Sequence, residues 1–261
     1  MASDVVLETK GLSMRFGGLT AVKNFSAAIP RGSIVGLIGP NGAGKTTCFN
    51  MITGFYKPSE GQVLLNGTDI TGAPPHRVCR SGIARTFQNI RLFVNETVLE
   101  NVMIGCHLRQ KTGWWQAVLC LPAHRREERA IAERSRELLD AVGLKELAGE
   151  QANSLPYGAQ RRLEIARALA TRPAFLLLDE PAAGMNPNET QELMGFIREI
   201  RRSFDLTVLL IEHDMKVVMG ICEHIWVLDY GEMIASGPPE TIQSDPKVIK
   251  AYLGEEALTH A

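Results

Sequence analysis

Cysteine is sparse and unpatterned in this sequence. Cys48, Cys79, Cys106, Cys120 and Cys222 are scattered, odd in number and without CxxC spacing. That argues against a disulfide framework and a zinc site, and makes reduced thiols in a cytoplasm the simplest expectation. No run reaches the 18 to 20 or so apolar residues that a membrane-spanning helix needs. The opening residues, Met1-Ala-Ser-Asp-Val-Val-Leu-Glu, lack the basic flank and apolar stretch of a secretory signal. Formal net charge is −1 and basic residues form no long block, which speaks against a nucleic-acid partner. Internal repeats and low-complexity tracts are missing too. With 45% hydrophobic and 22% charged residues over 261 positions, the chain can bury a large core and carry a smaller second lobe.

Short apolar runs bounded by turn residues stand out. Val5-Val6-Leu7, Ser33 to Ile38 and Gln62 to Leu65 read as strands, the last closed by an Asn66-Gly67 turn. Phe175 to Leu178, Thr207 to Ile211 and Ile225 to Leu228 are continuous apolar runs, which suits strands of a parallel sheet buried on both faces. Helical segments alternate with them, such as Glu189 to Ser203 with Leu193, Phe196, Ile197 and Ile200 on one face. The alternation indicates a doubly wound α/β core. From about Ile90 to Leu155 the pattern changes. No convincing strand follows Thr97-Val98, and Arg125 to Val142 places Ile131, Leu138, Leu139 and Val142 at helical spacing in a charged, solvated helix. An inserted helical subdomain is the expectation.

Two motifs carry chemistry. Gly39-Pro40-Asn41-Gly42-Ala43-Gly44-Lys45-Thr46-Thr47 fits the phosphate-binding P-loop and follows the strand ending at Ile38. Its glycines let main-chain N–H groups converge on phosphate oxygens while the next helix aims its N-terminus at the same charge. Lys45 would reach the β- and γ-phosphates of ATP, and the Thr46 hydroxyl would ligate Mg²⁺. The apolar strand Phe175 to Leu178 runs into Asp179 and Glu180. Asp179 is placed to hold Mg²⁺ through its hydration shell, and Glu180 to orient the attacking water or take its proton.

With these in place the sequence resembles the nucleotide-binding domain of ABC transporters over nearly its whole length. The resemblance implies a P-loop NTPase doubly wound core with an antiparallel β subdomain and an inserted helical subdomain. It divides the chain into 1–88 with 160–238 as core, about 89–159 as helical subdomain, and 239–261 as helical tail. Phe16 takes the position of an aromatic that stacks on adenine. Gln88, in Arg85-Thr-Phe-Gln-Asn89, matches the Q-loop, which reaches both the catalytic Mg²⁺ and the membrane partner. Leu155-Pro-Tyr157-Gly158-Ala159-Gln160 stands in the signature position, before an expected helix Leu163 to Ala170, and contacts ATP held by an opposite subunit. Asn186 takes the D-loop position, and His213 that of the switch histidine beside the γ-phosphate.

Two departures from the family pattern follow. Pro156 replaces the signature serine and has neither hydroxyl nor N–H, and Asn186 replaces an aspartate. A changed signature beside an intact catalytic set implies a non-identical second ATP-binding subunit. Arg15 to Val22, Thr53 to Pro58, Tyr157 to Arg167, Pro181 to Pro187, Ile211 to Lys216 and Val248 to Glu255 resemble the LivG type of ATP-binding subunit, from high-affinity branched-chain amino-acid importers. That implies two membrane permeases, an indirectly linked substrate-binding protein, and a peripheral place on the cytoplasmic face of the inner (plasma) membrane. Trp114-Trp115 and Ala117 to Leu121 would either line the permease groove or pack in a core. The alternatives are ATPase subunits of importers for urea, short-chain amides or other amino acids, or of lipopolysaccharide export. A soluble ABC ATPase of DNA repair or translation is disfavoured, since the chain has no long coiled-coil insertion and no second cassette.

Overall fold

Strands Val5–Phe16 (β1) and Leu19–Pro30 (β2), each of twelve residues, pair antiparallel. In the computed structural model, which describes residues 4–110 and 122–253, they belong to a four-stranded sheet. Its other members are Glu60–Leu65 (β4) and Thr68–Asp69 (β5), in the order β2-β1-β4-β5. The β4–β5 turn is the expected Asn66-Gly67, with φ of 48° and 76° as a two-residue hairpin turn demands.

A second sheet holds Ile34–Ile38 (β3), Ile83–Arg85 (β6), Phe175–Asp179 (β7), Thr207–Ile211 (β8), His224–Asp229 (β9) and Glu232–Gly237 (β10). The order is β10-β9-β3-β8-β7-β6, all pairs parallel except β9–β10. Every residue of β3, β7 and β8 is buried, as their unbroken apolar runs predict. Alternate residues on one face (Val35, Leu37, Phe175, Leu177, Leu209, Ile211) join one core with helix Lys45–Ile52 (α1) and the inner face of the antiparallel sheet. On the other face Gly36 has no side chain, which leaves room for Val218 and Cys222, 3.4 and 3.1 Å from where a Cβ would lie. The remaining helices of this unit are Pro75–Ser81 (α2), Pro187–Ser203 (α6), Met215–Ile221 (α7), Pro239–Ser244 (α8) and Pro246–Leu253 (α9).

Contacts divide the chain into two compact units, residues 1–85 with 174–261 and Thr86–Pro173. The second unit contains helices Val98–Cys106 (α3), Pro122–Ala141 (α4) and Tyr157–Ala170 (α5), which pack on one another. Ile131, Leu138, Leu139 and Val142 are among its buried residues, and most charged positions of α4 face outward. This unit takes in α5, whose residues from 160 onward were expected in the core. Thr97-Val98 is no strand: Thr97 makes one bridge to Gln151 and then caps α3, its hydroxyl and Glu100 forming a reciprocal capping box. Trp114, Trp115 and the stretch to Leu121 lie outside the described residues, so the groove-or-core alternative stays open.

Candidate functional site

The catalytic candidates of the first unit all sit at the carboxyl ends of parallel strands. The phosphate loop follows β3, Asp179 ends β7, Glu180 is the next residue, and Glu212 and His213 follow β8. In an open parallel sheet this edge, where neighbouring connections diverge, is where ligands bind.

Backbone geometry explains the loop's glycines. Gly39 and Gly44 have φ of +149° and +101°, and a Cβ on either would lie 2.0 Å from the Leu228 carbonyl oxygen or 2.5 Å from that of Ala21. The loop is propped from behind by the β9–β10 turn: Gly231 donates its N–H to the Ala43 carbonyl at 3.0 Å, and accepts from the Lys23 N–H at 2.8 Å. Gly44 then serves as N-cap of α1, so Lys45, Thr46 and Thr47 form the first turn. That turn contains no acidic residue to compete for its N–H groups and positive dipole end.

Lys45 is buried. Its ammonium donates to the carbonyls of Gly39 at 2.7 Å and Pro40 at 2.9 Å. Burial lowers its pKa below the ordinary lysine value, while Glu180 and Asp179 pull the other way. A buried cation facing two carboxylates beside a helix N-terminus is a built anion cradle. The same residues fit a hydrated divalent cation: Asp179 is a hard oxygen donor, as is the Thr46 hydroxyl one residue past the lysine.

Asp179 is also held by Arg85, whose Nη2 donates to Oδ2 at 2.7 Å, with both side chains less than a tenth exposed. The other guanidinium branch donates to Asn50 Oδ1 at 2.6 Å, and the cation lies 5.6 Å from the Phe49 ring centre. Glu180 occupies the left-handed region at φ +45°, a conformation that costs a non-glycine residue roughly 1–3 kcal/mol and collects at functional sites. Its N–H donates to the Ile211 carbonyl at 2.9 Å, and its Oε2 is 3.5 Å from His213 Nδ1. Glu212, by contrast, is fully buried, and burial pushes its carboxyl pKa up against the N–H groups of Ala182, His213 and Asp214. Neither Arg85 nor Glu212 was selected from sequence. The available signal was their adjacency to the Q-loop and switch motifs.

Phe16 ends β1, 43% exposed, and makes an edge-to-face pair with Tyr56 at 5.4 Å between ring centres. Asn186 acts locally. Its side-chain oxygen accepts from the N–H groups of Asn188 and Glu189, both at 3.0 Å, and Glu189 accepts in return from the Asn186 N–H. This is the N-cap of α6, an N-x-x-E capping box that sequence reasoning could have read.

Gln88 and the signature belong to the second unit. Tyr157, Gly158, Ala159 and Gln160 are not a loop ahead of a helix at Leu163; they are the first turn of α5, with Pro156 as N-cap in an extended conformation. Gln160 bonds back to the Leu155 carbonyl at 2.9 Å. Arg161 is fully buried and donates to the main-chain carbonyls of Phe87 at 2.8 Å and Gln88 at 2.9 Å, while Glu164 accepts from Arg161 at 2.8 Å and from the Arg91 N–H at 3.2 Å. The backbone around Gln88 is thus bolted to the signature helix.

The chain matches the profile of the ABC transporter family over residues 22–183, the span from β2 to the turn after Glu180. The chain belongs to the ABC transporter family. A second profile, the branched-chain amino acid ATP-binding cassette transporter, matches residues 232–257 of this ABC ATPase. Among curated relatives, the high-affinity branched-chain amino acid transport ATP-binding protein BraF of Pseudomonas aeruginosa is 50% identical over 96% of this chain and 98% of its own. LivG of Escherichia coli, of the same description, is 50% identical over 97% and 99%. The lipopolysaccharide export ATP-binding protein LptB of Haemophilus influenzae is 33% identical over 96% and 98%. Among solved structures, the ADP conformation of MJ1267, an ATP-binding cassette of an ABC transporter, superposes with a TM-score of 0.84 at 33% identity, covering 96% and 99%. The expected fold class is therefore the observed one, and as an ABC ATPase the chain binds and hydrolyses ATP. No described helix is long and apolar enough to cross a membrane.

Proposed function

We propose that this chain is the ATP-hydrolysing subunit that powers import of branched-chain amino acids. The observation that carries the reading is the meeting of Lys45, Asp179, Glu180 and His213 at one edge of the parallel sheet. The loop Gly39 to Thr47 binds the ATP phosphates through main-chain N–H groups, the α1 N-terminus and the Lys45 ammonium. Phe16 stacks on the adenine. Thr46 and Asp179 would hold Mg²⁺, which when bound neutralises charge on the transferring phosphoryl group. Glu180 orients a water molecule and accepts its proton, and His213, 3.5 Å away, addresses the γ-phosphate.

The first turn of α5, Tyr157 to Gln160, offers its N–H groups to ATP held by a second, non-identical subunit. Pro156 has no N–H to add. Two permeases hold the pair at the cytoplasmic face of the membrane, and a binding protein delivers the amino acid to them. The cargo rests on the relatives: identity is 50% to the branched-chain amino acid ATP-binding proteins and 33% to the lipopolysaccharide export protein.

Glu180→Gln tests the chemistry. It is expected to retain ATP affinity and lose on the order of 10²-fold or more in turnover; undiminished hydrolysis would remove Glu180 from its role. Reconstitution with permeases and binding protein tests the cargo. ATPase stimulation by leucine-loaded binding protein is expected, and stimulation by urea or a short-chain amide instead would reassign the cargo and leave the ATPase reading intact.

A further inference from the structure

Glu212 is the most deeply buried of the described acids at this edge, and it takes no part in the mechanism above. Its side chain is 1% exposed, against 19% for Glu180. Oε1 accepts from the Ala182 N–H at 2.9 Å, in the turn two residues past Glu180. Oε2 accepts from the His213 N–H at 3.2 Å, and the Asp214 N–H also faces the carboxylate. One carboxylate thus joins the connection after β7 to the connection after β8.

The need for such a tie follows from Glu180. Its backbone is held left-handed by its own N–H on Ile211 and by its carbonyl, which accepts from the Ala183 N–H at 3.2 Å. The Ala183 bond closes the turn over Pro181 and Ala182, and the Ala182 bond to Glu212 ties that turn to the start of the segment bearing His213. We propose that Glu212 is a positioning residue for hydrolysis, its buried carboxylate setting the placement of Glu180 relative to His213. A carboxylate suits this position because it only accepts, and every main-chain group named as facing it is an N–H donor. Glutamine has the same size but carries an NH₂ that must point at one of those donors. This inference rests on the roles proposed for Glu180 and His213.

Three full-length variants decide it: Glu212→Gln, Glu212→Asp and, as control, Glu180→Gln. Three quantities are measured: Mg-ATP affinity by calorimetry, kcat and KM, and amide hydrogen exchange of residues 181–184 in nucleotide-free protein. For Glu212→Gln we expect kcat reduced at least tenfold, with Mg-ATP affinity and KM within about twofold. Faster exchange at Ala182 is expected in the same variant. Glu212→Asp, which restores an acceptor-only group, is expected to recover part of kcat and of the protection. Unchanged kcat in Glu212→Gln overturns the proposal. So does a parallel loss of affinity, melting temperature and kcat in both Glu212 variants, which would mark the residue as merely structural. If Glu180→Gln keeps its turnover, the underlying assignment of Glu180 fails, an outcome separate from either of these.

Discussion

Arg85 and Asp179 form a buried ion pair at 2.7 Å, joining the last residue of β6 to the last residue of β7. Removing one partner of such a pair strands a charge in a poorly solvated place, at a cost of about 3–5 kcal/mol. Arg85→Ala is therefore expected to lower unfolding free energy by that order in urea denaturation. Arg85→Lys keeps the charge but not the fork that reaches Asn50 and Asp179 together, and should fall between. A loss below about 1 kcal/mol for the alanine variant would deny the pair its structural role.

Gly44→Ala combines a strained φ of +101° with a Cβ 2.5 Å from the Ala21 carbonyl, a main-chain atom with little freedom to yield. Gly42→Ala has strain at φ +80° but nothing within 4 Å. The first is expected to cost several times the roughly 1–2 kcal/mol of the second and to abolish ATP binding. Thermal unfolding and nucleotide titration check both.

Asn186→Ala removes the α6 N-cap and is expected to cost about 1 kcal/mol, whereas Asn186→Asp retains the acceptor and should be neutral or better. Equal melting temperatures for the wild type and the alanine variant would show that the capping box contributes nothing measurable.

Cys48 lies behind the phosphate loop, and burial pushes its thiol up to about 12. Because the thiolate is the reactive form, burial protects Cys48 twice, by barring access and by keeping the thiol protonated. Iodoacetamide should therefore modify Cys79, the least buried described cysteine, long before Cys48. Peptide mass mapping of native protein gives the order, and early modification of Cys48 would contradict its burial.

Much of the parallel sheet was readable in advance. Phe175 to Asp179 and Thr207 to Ile211 are apolar runs that end in charged residues, and doubly buried strands leave that mark. Strand β2 left a weaker one: seven of its twelve residues are exposed, and Asn24 at φ +53° interrupts the alternation, which runs cleanly only from Phe25 to Pro30. Pro156 and Tyr157 hid the start of α5 because proline is expected one position later, at the first helical residue. The buried charges were the least legible. Arg161 and Arg162 are neighbours of identical chemistry, yet Arg161 is sealed against the Phe87 and Gln88 carbonyls while Arg162 is partly exposed. Charged residues are ordinarily exposed, so only the structure separates the two.

The strand order has a consequence for how the protein is made. β3, which leads into the phosphate loop, is flanked by β8 and β9, and its Ile34 pairs with Val208. A ribosome releases the phosphate loop well before its neighbours in the sheet, its Gly231 prop and the segment bearing His213. A nascent chain therefore carries the loop for a time without the scaffold that shapes it.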